Sequence, residues 1–150
     1  MFKFVRSLDG SYLQPRTVNA AAGTYKVGMA LKLDGGAAKA ATGDTKAVLL
    51  CMENKTLSAA GDLIVADITP GMIFEAPISA YSASVQKPGA SVTIHTDSLG
   101  VTATSVATPY ASSTSASYST AVALPAATGA RIFDMGGASA ANDVIHVQFN

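Results

Sequence analysis

The chain carries little charge. Asp, Glu, Lys and Arg make up only 13% of its 150 residues, against roughly 25% in an ordinary domain. Ten basic and ten acidic residues cancel, so the broad basic surface of a general nucleic-acid binder is missing. Tryptophan is absent and aromatics reach only 7%. They are not interleaved with Arg or Lys, as a stacking platform for single strands requires. A single cysteine, Cys51, excludes an intrachain disulfide. No run approaches the ~18 apolar residues of a spanning helix, and no basic amphipathic helix is visible for a membrane surface. The opening residues lack the apolar core of a signal peptide, so synthesis in a cytoplasm is expected.

Small residues fill the space left by charge. Hydrophobic types reach 49%, much of it alanine, and Ser, Thr and Gly supply most of the polar surface. Such a surface suits extensive contact, because few strongly hydrated groups need stripping of water. The sparse charge is uneven: Lys3, Arg6, Arg16 and Lys26 face only Asp9 within residues 1–26. That basic end either steers the protein toward an acidic surface or is an ordinary solvated terminus.

Strand signals dominate the pattern. Residues 2–5 alternate before the Asp9-Gly10 turn. Residues 29–33 alternate and end in Asp34-Gly35-Gly36, a hairpin signal whose glycines permit positive φ. Buried or alternating runs follow at 47–52, 62–68, 72–78, 91–95, 129–134 and 144–149. Cys51 lies within the apolar run 47–52 and reads as a small core residue. Residues 36–41 have helical propensity but are too few and lie between turns. The expectation is an all-β fold: a small β-sandwich or β-barrel-like body with an extended N-terminal segment, arm or strand, over residues 1–20. Residues 21–150 form the single β domain.

A partial internal repeat is present. Gly28-Met29-Ala30-Leu31-Lys32-Leu33 matches Gly89-Ala90-Ser91-Val92-Thr93-Ile94. Each is followed by an Asp/Gly turn, then by a strand with a methionine near its end (Met52, Met135). Each closes in an Asp-led apolar run, at residues 61–65 and 142–147. The units expected are 24–78 and 85–149, with chance similarity of short β motifs as the competing reading. A Ser/Thr/Tyr-rich insertion at 104–123 holds Tyr110 and Tyr118. It reads either as a flexible loop or as an exposed or intersubunit loop whose tyrosines supply contact area.

Chemistry is sparse. His95 and His146 are each alone on their strands, with no Cys or His nearby to complete a zinc set. Asp34, Asp44, Asp62 and Asp67 sit at strand ends or turns, where backbone reasons account for Asp. No G-x-S-x-G elbow exists. Residues 41–46, Ala-Thr-Gly-Asp-Thr-Lys, depart from the phosphate-loop pattern and precede a strand rather than a helix. No catalytic residue, cofactor or metal is expected, which leaves association through β surfaces.

With those residues in place, the chain resembles the capsid decoration proteins of tailed phages, the cement or head-stabilising proteins. The resemblance rests on residues 27–39, 47–52, 61–65, 89–94 and 143–149, and covers roughly 24–100 and 129–149 as a pattern of strands and turns. It implies a compact β-rich body, a trimer by preference, that sits on the capsid exterior and bridges major capsid proteins. The implied location is the virion, without nucleic-acid or membrane partners. Phe2, Lys3, Phe4, Val5 and Arg6 become the expected capsid contact, through strand addition. The rivals are a fibre or tail adhesin module and a small β-fold hydrolase using His95 or His146.

Overall fold

The structure, a computed structural model, describes residues 1–43, 45–79, 88–103 and 129–149. Among them are thirteen strands and no helix. The first eight are β1 (Lys3–Ser7), β2 (Pro15–Ala20), β3 (Gly23–Tyr25), β4 (Ala30–Asp34), β5 (Ala37–Ala40), β6 (Leu49–Cys51), β7 (Lys55–Leu57) and β8 (Gly61–Asp67). The remaining five are β9 (Met72–Pro77), β10 (Val92–Ile94), β11 (Val101–Ala103), β12 (Ala130–Asp134) and β13 (Val144–Phe149). The all-β class holds. Residues 1–20 are built into the body as β1 and β2.

Strands β2, β5, β4, β6 and β8 close into a five-stranded barrel. The Asp34-Gly35-Gly36 turn makes the β4–β5 hairpin, with both glycines at positive φ. In β8, Leu63 and Val65 point into the barrel while Asp62 and Ile64 face out. The barrel shuts through a parallel contact at Ala20 and Ala38. Both are fully buried alanines, and their size lets the two backbones approach. A short β3–β7 ribbon is attached beside it.

The later strands repeat these pairings. β10 and β11 form the hairpin, and β12 runs antiparallel to β13, which runs antiparallel to β9. Bridges from Ser91 to Arg131 and from Ile78, in parallel, to Val101 complete the same cyclic order. The correspondence extends to single hydrogen bonds. Gly28 N–H donates to Cys51 O, and Cys51 N–H donates to Met29 O. In the second unit Gly89 N–H donates to Ile132 O, and Ile132 N–H donates to Ala90 O. Gly28 and Gly89 hold φ of 77° and 87°, the left-handed region that disfavours side chains.

The repeat is real in the pairing, but its bounds differ from the sequence expectation of 24–78 and 85–149. β9 stands to β13 as β2 stands to β8, so β2 opens the first unit and β9 the second. Within the units, Leu63 matches Ile145 and Val65 matches Val147, one residue out of step with the Asp-led motif. Cys51 matches Ile132, so Met135 lies beyond the position of Met52.

The two units are fused. Ala41, Ala47 and Leu50 of the first join the larger core built on Phe74, Ile132 and Ile145 of the second. Gly43 and Ile94 exchange backbone hydrogen bonds at 2.8 and 2.9 Å. In return, the loop after β10 sends Leu99 against the first core, and Ser98 O accepts Ala30 N–H at 2.8 Å.

Candidate functional site

The residues expected to meet a partner, Phe2 to Arg6, divide once folded. Phe2 is a correction: at 3% exposure it is part of the core and cannot reach another protein. Its ring lies 6.5 Å from Phe74 and 6.0 Å from Phe149, so its apolar area is spent closing the second unit. Phe4 is half-buried, 5.7 Å edge-on to Phe74. Lys3, Val5 and Arg6 face outward, and Leu8 and Tyr12 beyond them are exposed, Tyr12 at 78%.

β1 lies antiparallel on β9, with a bulge between Phe4 and Arg6. A second bulge interrupts β12 between Ile132 and Asp134. Bulges at sheet edges re-aim side chains, and both do so here. On β1 the bulge sets Arg6 opposite Ile73, and on β12 it sets Asp134 rather than Phe133 opposite His146. The Arg6 guanidinium lies 5.7 Å from the Phe133 ring centroid. Ile73 is 1% exposed yet does not join the core that Met72, Phe74 and Ala76 of the same strand share. It sits on the outer face, beneath the two side chains that reach in from opposite edges.

One row on that face crosses the whole sheet: Lys3, Glu75, His146 and Asp134 stand opposite one another in register. Lys3 Nζ is 3.4 Å from Glu75 Oε2. The His146 ring nitrogens lie 3.9 Å from Glu75 Oε1 and 3.7 Å from Asp134 Oδ2. They face the two carboxylates on opposite sides of the ring, a charge ladder rather than a converging ligand set. His95 Nδ1 is 3.0 Å from Asp97 Oδ1. Burial pushes the Asp97 carboxyl up, but the Leu99 N–H and His95 outweigh it and hold it below the usual range. Among the described residues, no group of three His, Cys, Asp or Glu is placed to hold a metal. Cys51 is buried in the barrel, its thiol donating to Glu53 O at 3.1 Å. Burial raises the pKa of that thiol.

The two units differ most at one end. Phe74 and Phe149 meet edge-on at 5.5 Å in the second unit, where Phe2, just ahead of β1, and Phe4 of β1 cover them. The matching positions in the first unit are Arg16 and Asp67, an ion pair about half exposed. The β2 edge there is also blunted by Pro15, the counterpart of Ile73. Ala21 N–H donates toward β5, to Ala38 O. Along the regular strand before it, residues 19, 17 and 15 turn their backbone groups to that same side, and proline offers no N–H.

The β4–β5 hairpin places Lys32 directly opposite Lys39. Neither was among the residues picked out from the sequence. The signal was available, because a two-residue turn at Gly35-Gly36 fixes 32 against 39. Tyr110 and Tyr118, with the whole 104–123 insertion, lie outside the described residues. Asp44 does too. No family model matches the chain, and no curated protein matches it.

Proposed function

We propose that this chain is a structural protein that decorates the exterior of a phage head and stabilises the shell by bridging neighbouring major capsid proteins. The observation that supports this reading is the duplication. One chain carries two units of the same strand pairing but different outer side chains, fused through a shared core, and so presents two faces at a fixed separation. Such a body is suited to touching two neighbouring copies of one repeating partner. Once the first contact forms, the second is effectively intramolecular, and modest contacts add to firm attachment.

The surface fits the same role. Lys3–Glu75, Arg16–Asp67, Lys39–Asp34 and Lys55–Glu53 pair within the molecule, which masks part of an already sparse charge on close approach. Val5, Leu8 and Tyr12 supply exposed apolar area beside β1. In this reading Lys3, Val5 and Arg6 face the shell, Phe2 stays in the core, and copies assemble as trimers on the virion.

The test is sedimentation of purified protein with empty phage heads before and after expansion. Saturable binding at a fixed ratio to expanded heads, and none to unexpanded heads, is expected. Equal binding to both forms, or to neither, overturns the proposal.

A further inference from the structure

Lys32 and Lys39 stand directly opposite on adjacent strands and share one outward face. Like charges so placed destabilise a sheet. A single carboxylate serves them: Asp34 Oδ2 lies 3.1 Å from Lys39 Nζ, and both lysines hold its carboxyl below the usual range, Lys39 first. Among the described residues, one positive charge is left over. The lysines line a recess of ≈ 490 Å³ with Ala22, Gly23, Thr24 and Ala40. The Tyr25 hydroxyl fixes its floor by sharing its one proton between Ala21 O at 2.8 Å and Ala38 O at 3.2 Å.

The second unit provides an internal control. The residues matching Lys32, Lys39 and Ala21 are Thr93, Thr102 and Ser79. There the Thr93 hydroxyl donates to Thr102 O at 3.3 Å, and the Ser79 and Thr102 hydroxyls bond each other. The same strand pairing therefore stands on a neutral, self-satisfied cluster. Lysines at both places are not needed to build it.

We infer that this recess is a docking site for one carboxylate side chain on an acidic, extended segment of a partner protein. The leftover charge matches one carboxylate. A phosphate dianion suits it less, because the Asp34 carboxylate already lies within the cluster. The small side chains of Ala22, Gly23 and Ala40 leave room for peptide backbone on either side. The inference stands whether or not the partner is a capsid protein.

The experiment is an NMR titration of the full chain with hexaglutamate at low salt, with hexaglutamine and inorganic phosphate run in parallel. Hexaglutamate is expected to shift the amides of residues 21–25, 32 and 39–40, and hexaglutamine to shift none. Lys32→Thr with Lys39→Thr, the residues the second unit uses, is expected to weaken hexaglutamate at least tenfold. Lys26→Thr with Lys46→Thr removes equal charge from exposed sites and is expected to change affinity less than twofold. Should the first double variant fail to fold, Lys32→Thr alone is expected to weaken binding about threefold. Equal losses in the two double variants, the same shifts from phosphate at the same concentration, or no binding of hexaglutamate each overturn the inference.

Discussion

The Arg16 guanidinium grips the Asp67 carboxylate twice, Nε to Oδ2 at 2.8 Å and Nη2 to Oδ1 at 2.7 Å. These two residues occupy the positions where the second unit packs Phe74 against Phe149. One fold thus closes one end with ions in water and the other with aromatics under a strand. The energetics should differ accordingly. Phe149→Ala is expected to cost about 3–5 kcal/mol, through lost burial and the cavity left. Asp67→Ala breaks a half-exposed pair and is expected to cost about 1 kcal/mol or less. Denaturant unfolding of both variants checks this, and comparable losses would contradict it.

Gly28 and Gly89 make the same hydrogen bonds at similar positive φ, yet their surroundings differ. A Cβ on Gly28 would lie 2.6 Å from Phe2 O, whereas none of the described atoms comes within 4 Å of one on Gly89. Gly89→Ala should cost only left-handed strain, about 1–2 kcal/mol. Gly28→Ala must also displace the Phe2 backbone just ahead of β1, and a loss of at least about 3 kcal/mol is expected, since cavity and strain terms then add. Thermal melts of the two variants give the comparison.

Ser98 is fully buried at φ 60°, and its hydroxyl has no hydrogen-bond partner among the described residues. Ser98→Gly removes a strained side chain and an unsatisfied polar group together. Those gains exceed the extra unfolded-chain entropy of glycine, so stabilisation of about 1 kcal/mol is expected. A lower unfolding midpoint in the variant would refute it.

Asp9 accepts hydrogen bonds from the Ser7 hydroxyl and the Ser11 N–H, which lower its pKa to about 2. A carboxylate depressed on folding stabilises above its unfolded pKa, near ~3.9. That contribution is lost as pH falls through the folded value. The small advantage of the parent over Asp9→Asn should be constant above pH 5 and fade between about pH 4 and 2. Melts across that range, with a carboxyl titration of Asp9 by NMR, check both sign and window.

Local alternation made most of the body legible. The Asp34-Gly35-Gly36 hairpin, the β8 run and the closing β13 strand all follow from period-two patterns and turn residues. The strands that escaped had no such pattern. β5 is Ala-Ala-Lys-Ala, whose propensity is helical, and it is a strand because the Gly35-Gly36 turn lays it along β4 over four residue pairs, with Ala38 also meeting Ala20 of β2. Residues 15–20 show no such alternation, and β2 takes its register from β8, with Pro15 as its first residue. The basic N-terminus looked uncompensated because its partners are remote in sequence: Lys3 meets Glu75, Arg16 meets Asp67, and Arg6 meets the Phe133 ring. Such pairings depend on tertiary register. Period-two patterns do not encode it.

The blunted β2 edge also removes one way in which copies could meet. Were Pro15 and the Arg16–Asp67 pair replaced by the Ile and the two Phe of the second unit, each molecule would offer a second seat for a β1 strand. A neighbour's β1 could then settle there, and that contact would be head-to-tail. Head-to-tail contacts that do not close on themselves grow into filaments. Proline and an ion pair at this edge shut off that polymerisation route, which a duplicated chain would otherwise carry within its own symmetry.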